Sequence, residues 1–242
     1  MRPLSVQLYT LRDAMQADAH DTLQRLAAMG YALVEPYRFV DDVDRVAAAL
    51  RDAGLLAPSA HTRFLGEDQQ RVFAAAQRLG VGTLVQPSSE QAIWSNLDDV
   101  RELARRLNEA ASVAADHGVR VGYHNHAFEY EGGIDAPLER FAELLDDRVT
   151  LQVDTYWVAV GGDDPVSLLR RLGDRVGLLH VKDGPVTAET LDQLPVGAGS
   201  MPVEEILHAA PHALAVVELD AYRGDVFEAV QASLGNLREM LG

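Results

Sequence analysis

The feature that most constrains this chain is a repeat of element types. Short apolar or alternating runs of strand length are each followed by a stretch of helical periodicity, at a spacing of roughly 25 to 38 residues. The runs are SVQLY (5–9), ALVEP (32–36), LAPSAH (56–61), TLVQP (83–87), RVGYHN (120–125), TLQVD (150–154), GLLHV (177–181) and LAVVEL (214–219). Strands that return through a helix pair in parallel. Eight such units in 242 residues match the size and order of a (β/α)8 TIM barrel, an α/β fold. The structural alternative, a doubly wound open sheet, usually carries a Gly-rich first turn, and QLYTLRD contains no Gly. No linker or composition break divides the chain, so one domain over 1–242 is expected.

Between the runs, apolar residues recur at helical spacing, most clearly at Val100, Leu103, Ala104, Leu107, Ala110, Ala111 and Ala114. Further helices are expected near 19–29, 41–53, 68–79, 135–146 and 225–241, with Gly30 as a stop. Asp135 with Pro137, Asp164 with Pro165, and Asp225 supply starts.

Composition excludes whole classes of chemistry. The absence of cysteine removes disulfides, thiolate zinc sites and cysteine nucleophiles. A net charge of -16 repels phosphate backbones and anionic lipid, so neither nucleic acid nor a membrane is an expected partner. No apolar window is long enough to span a bilayer, and MRPLSVQLYTLRD lacks the apolar core of a secretory signal, so a cytoplasmic location is expected.

In a barrel the working residues come from the C-terminal ends of the strands. Here those ends carry Gln7 and Tyr9, Glu35, His61, Gln86, His124 with His126, Asp154, His180 with Lys182, and Glu218. Asp154, His180 and Glu218, each set in an apolar run, suit a divalent cation that takes oxygen and neutral imidazole ligands. The alternative pairs each with an arginine or with Lys182. Lys182 is the one lysine among 21 basic residues, which suggests a place where a compact ammonium is needed. His124 and His126 would share a strand face beside Glu129, as a substrate-facing group or as a surface pair. VGAGSMPVEEIL (196–207) puts two glycines before a Pro-led helix; it reads as an anion-holding turn or as an ordinary one, and its acidic first turn argues against phosphate. Arg223 is a second anion contact or a solvated loop residue.

The set SVQLYTLRD, VEPYRF, SAH, YHNHAFEY, VDTYWVAVGGDDP, LLHVKDG and VVELD resembles the sugar phosphate isomerase/epimerase superfamily of xylose isomerase-like TIM barrels, in a Y-H-N-H subgroup. The resemblance implies a divalent metal (manganese, magnesium, cobalt or zinc) held by a carboxylate after strand five and by Asp154, His180 and Glu218. The strand-five carboxylate falls on His124, which leaves three roles open: neutral ligand, second acid/base, or hydrogen-bond partner of substrate hydroxyls. The resemblance further implies a small carbohydrate substrate and an enediolate, with Glu218 as one proton carrier and Glu35, His61, His124 or Lys182 as the other. Glu35, His61, His126 and Trp157 are then the candidate substrate contacts, and His124, Lys182 and Glu218 the candidate catalytic groups. Isomerisation or epimerisation is the leading expectation, with a cyclitol or keto-sugar dehydratase and a non-catalytic sugar-binding barrel as alternatives. A phosphodiesterase of the endonuclease IV type would need more ligands and a basic face. Such barrels often pair, so a homo-oligomer is compatible with the sequence.

Overall fold

Parallel strands covered by helices need apolar side chains on their outer face, and the eight runs supply them. In the computed structural model, which describes residues 3–242, they form β1 (Leu4–Gln7), β2 (Leu33–Glu35), β3 (Ser59–His61), β4 (Thr83–Gln86), β5 (Arg120–His124), β6 (Val149–Asp154), β7 (Val176–Val181) and β8 (Leu214–Val217). Met1 and Arg2, the first residues of the expected 1–242 span, lie outside the described residues. The strands pair in parallel in the order β2-β1-β8-β7-β6-β5-β4-β3. The seam between β2 and β3 is closed by isolated bridges, Leu33 with Leu56 and Tyr37 with His61, so the sheet is a nearly closed (β/α)8 barrel.

The helices are α1 (Arg12–Ala17), α2 (Ala19–Met29), α3 (Val43–Ala53), α4 (Gln69–Leu79), α5 (Leu97–Ala115), α6 (Pro137–Leu144), α7 (Thr155–Val160), α8 (Pro165–Leu172), α9 (Val203–Ala209) and α10 (Val226–Met240). All seven apolar positions expected along α5 are buried. Gly30 ends α2 at φ 99°, a left-handed conformation that glycine adopts without a Cβ clash. Asp164 and Asp225 cap α8 and α10 through Val166 N–H and Phe227 N–H. Asp135 does not cap α6; the helix begins at Pro137 after Ala136, which takes φ 49° and offers no side-chain acceptor. No helix among the described residues is long and apolar enough to cross a membrane.

Side chains alternate across each strand, so every second residue faces the barrel interior. On that face lie Gln7, Glu35, Ser59, His61, Gln152 and His180, all buried and mutually hydrogen-bonded across five strands. The core proper lies outside the sheet, between strands and helices.

Candidate active site

Glu35 organises the floor of the barrel mouth. It has no exposed surface and accepts from Gln7 Nε2 (2.7 Å), Ser59 Oγ and Gln152 Nε2 (2.9 Å), while His180 Nε2 stands 2.7 Å from Oε1. Burial raises the Glu35 pKa, but the His61 and His180 rings outweigh it and hold the carboxyl below its ordinary range. A second carboxylate, Glu218, lies on the far side of the same imidazole, its Oε2 2.6 Å from His180 Nδ1. Burial disfavours the His180 charge, yet Glu218 and Glu35 together raise its pKa to about 10.

Lys182 closes the floor. Its ammonium lies 2.9 Å from Asp154 Oδ2, 2.9 Å from Glu218 Oε2 and 2.7 Å from Asp220 Oδ2, a three-way contact that suits a compact cation on a flexible stem. Burial lowers its pKa less than the three carboxylates raise it, so it stays charged. Asp154 divides its oxygens: Oδ1 accepts from Trp157 N–H and starts α7, while Oδ2 turns inward. Burial pushes this carboxyl up to about 6 although Lys182 and His180 pull it down, because Lys182 is shared with two other acids.

Donor atoms of His124, Asp154, His180 and Glu218 all lie within 4.8 Å of one another, every residue buried. Within this group His124 Nδ1, His180 Nδ1 and Asp154 Oδ2 have no aligned hydrogen-bond partner. Burial, reinforced by His180, holds the His124 pKa well below the usual imidazole range, so its ring is neutral and available as a ligand. Four carboxylates against the Lys182 ammonium and the His180 ring, whose proton a cation would replace, with unaligned oxygen and imidazole donors, form a set that fits a divalent cation.

Above the floor opens a cavity of about 270 Å³. The expected residues divide between the two levels. His61, His124, His126 and Glu218 line the cavity, whereas Glu35, Asp154, His180 and Lys182 lie beneath it and contact protein groups. His126 is neutral, its pKa lowered to about 4 by burial and then by Lys182. Trp157, a candidate substrate contact or a packing residue, does not line the cavity; its ring lies 5.5 Å from Lys182 Nζ and packs edge-on against Tyr156. The aromatic wall is made instead by Tyr9 and Tyr37, their rings 5.4 Å apart and perpendicular. Glu129 also faces away, accepting from Tyr123 Oη and His126 N–H.

Asp220, Tyr37, Arg38 and Arg63 are site residues that the sequence reading missed. Asp220 had a signal, since it lies two positions beyond Glu218. The glycines of VGAGSM are not free to hold an anion. Asp183, buried, accepts from Gly184, Gly197, Gly199 and Met201 N–H at 2.8 to 3.1 Å. A Cβ at position 199 would come within 2.2 Å of Asp183 Oδ1, so glycine is required there. Arg223 is exposed and lies 3.8 Å from Asp192.

Comparison with known proteins agrees with this fold. An inosose dehydratase of Clostridium beijerinckii is 25% identical over 138 residues, covering 56% of this chain and 45% of that enzyme. The match thus spans less than half of the relative. A crystal structure of a sugar phosphate isomerase/epimerase from Parabacteroides distasonis aligns with a TM-score of 0.81 at 24% identity, covering 98% of this chain and 93% of the other. A crystal structure of the IolI protein with a binding zinc atom aligns at 0.78 and 14% identity, covering 99% and 98%. These two likenesses are of fold. The family model described as xylose isomerase-like TIM barrel matches residues 23–215. By that match, and by an eight-stranded parallel barrel with a His/Asp/Glu cluster at its mouth, the chain belongs to the xylose isomerase-like TIM barrel family.

Proposed function

We propose that the protein is a divalent-metal-dependent isomerase or epimerase acting on a sugar, keto-sugar or sugar phosphate through an enediolate, in the cytoplasm. The observation that carries this is the convergence of His124, Asp154, His180 and Glu218 on one point beneath a cavity that Glu218 also lines. Asp154, His180 and Glu218, with His124 as the fourth donor, would hold the ion. Bound there, a metal would supply Lewis-acid polarisation of a substrate carbonyl and the hydroxyl beside it.

The chain's own groups supply the rest. Glu35 fixes the His180 ring by occupying Nε2, which directs Nδ1 toward the cluster. Lys182 reaches substrate only through the carboxylates it holds, so it is a positioning residue. Glu218, on the cavity wall, takes the proton next to the carbonyl. Neither Glu35 nor Lys182 has a face on the cavity and His124 is taken up as the fourth donor, so the second carrier is His61, a neutral imidazole lining the cavity.

The inosose dehydratase relative supports a second reading, in which the same enediolate expels a β-hydroxyl. Metal content by mass spectrometry, for the wild type and the Asp154→Asn and His180→Ala variants, tests the centre. Solvent-deuterium exchange on a panel of ketoses and inososes tests the chemistry. Near-stoichiometric metal that both variants lose, with deuterium at a substrate α-carbon, is expected, and the product separates isomerisation from dehydration. Folded protein that neither contains nor takes up metal would overturn the reading in favour of a sugar-binding barrel.

A further inference from the structure

The rim of the cavity carries charge that the floor chemistry leaves unused. Arg38 follows β2 and Arg63 follows β3; both are exposed and both line the cavity that Glu218 also lines. Neither guanidinium is ion-paired or hydrogen-bonded to any described residue. Elsewhere on this acid-rich chain Arg71, Arg78, Arg105 and Arg171 hold carboxylates, while Arg51, Arg106, Arg120 and Arg170 are unpaired among the described residues but line no part of this cavity. Of the acids nearby, Glu67 alone has no side-chain partner among the described residues, in a depression that Arg38 and Arg63 also line. Asp220 is held by Lys182 and Gln193, and Glu218 by Lys182 and His180. In the adjoining depression, which also contains Glu67, Asp41 is held by Arg71 and Asp68 caps α4.

The backbone directs Arg38 to this place. The Tyr37–His61 bridge joins the ends of β2 and β3, and Arg38 N–H donates to His61 O at 3.0 Å. Arg38 takes φ 45°, a left-handed conformation that a non-glycine residue holds only where its surroundings impose it. Each of two arginines lining one small cavity offers a guanidinium fork suited to an oxyanion. A volume of about 270 Å³ lies near the lower end for small-molecule sites, so one monosaccharide-sized molecule reaches both floor and rim.

We propose that Arg38 and Arg63 form an oxyanion subsite for a phosphate or carboxylate group that the substrate carries at the end remote from its reacting carbonyl. This rests on the sugar isomerase/epimerase reading for the placement of that carbonyl. The substrate is then an acidic sugar derivative, recognised by the rim, and neutral ketoses and cyclitols react at the floor but bind more weakly.

Titration calorimetry of the purified protein with glucose 6-phosphate, gluconate and glucose at pH 8 tests this, in wild type, Arg38→Gln/Arg63→Gln and Asp154→Asn. The acids should bind at least about tenfold more tightly than glucose, and that preference should fall by about tenfold or more in the double variant. Arg63→Lys should keep part of the preference, and both rim variants should melt with the wild type because the side chains are exposed. Whichever acid binds more tightly identifies the group as phosphate or carboxylate. Asp154→Asn separates the two readings: anion binding that survives there while metal is lost locates the anion at the rim. Glucose binding as tight as the acids, or acid binding unchanged by the double arginine variant, would overturn the proposal, whatever the metal content.

Discussion

The floor and the rim of one barrel mouth are built by opposite rules. On the floor Glu35, Asp154, His180 and Lys182 are at most 1% exposed, and each touches partners from other strands. On the rim Tyr9, Arg38 and Arg63 are exposed, and the two arginines have no charged partner among the described residues. Buried charge must be compensated within the fold, which fixes its geometry before any ligand arrives. Solvated charge carries no such demand and stays available to a ligand. Floor substitutions should therefore damage folding and chemistry together, and rim substitutions recognition alone.

The sharpest way to break that contrast is to remove Glu35. Glu35→Ala leaves Gln7, Ser59, Gln152 and the Nε2 of His180 without their shared acceptor inside the barrel. Leaving such groups unpaired costs about 3–5 kcal/mol, and Tm should drop by on the order of 10 °C for a chain of this size. Metal affinity should fall by about 10- to 100-fold as well, because His180 loses the contact that orients its ring. Thermal melting and metal titration check this against Asp147→Ala, which removes a fully exposed acid. A drop no larger than that of the surface control would mean that the floor is not the rigid part.

Glu129 lies outside the cavity, behind His126, and gives a test through pH. It is fully buried, with Tyr123 Oη at 2.9 Å, the His126 N–H at 2.8 Å and the Asp154 charge nearby. Burial pushes its pKa from 4.5 to about 8 against those hydrogen bonds. The native state therefore holds a proton that the unfolded chain has released. The associated stability is fully present below about pH 4.5 and is lost as pH rises toward 8. Glu129→Gln copies the protonated form, its amide donating to Tyr123 and its carbonyl accepting from His126. Calorimetric melts of the two proteins should nearly coincide at pH 5, with the variant several degrees higher at pH 9. Superimposable profiles across that range would show that Glu129 is ionised in the fold.

The floor was largely legible in the sequence and the rim was not, for a physical reason. Strand periodicity fixes which residues share an interior face, so Asp154, His180 and Glu218 could be grouped from their places at strand ends, while His124 joined them only through the family resemblance. Loop residues carry no period, and Tyr37, Arg38 and Arg63 reach the cavity only through the β2–β3 seam. Trp157 could be read either way, as a substrate wall or as packing, because it follows Asp154 so closely. TYWVAV is rich in β-branched and aromatic residues, yet it turns into α7 once Asp154 caps Trp157 N–H, and the indole goes behind Lys182. Glu35 was legible as a strand end but not as the centre of a network whose donors come from β1, β3, β6 and β7.

The smallest expected effect is on the rim itself. Arg38 holds φ 45° at a cost of about 1–2 kcal/mol for a side-chain-bearing residue, and its guanidinium makes no protein contact that offsets it. Arg38→Gly removes the strain, while the added freedom of the unfolded chain takes back about 0.5–1 kcal/mol. The variant should melt level with the wild type or up to a few degrees above it, and retain its full metal content, while losing anion preference. Melting scans and metal analysis on the same preparations decide this. A variant that melts clearly lower would mean that the Arg38 side chain is already engaged by the protein, and the division between a self-sufficient floor and an unsatisfied rim would fail at its outer edge.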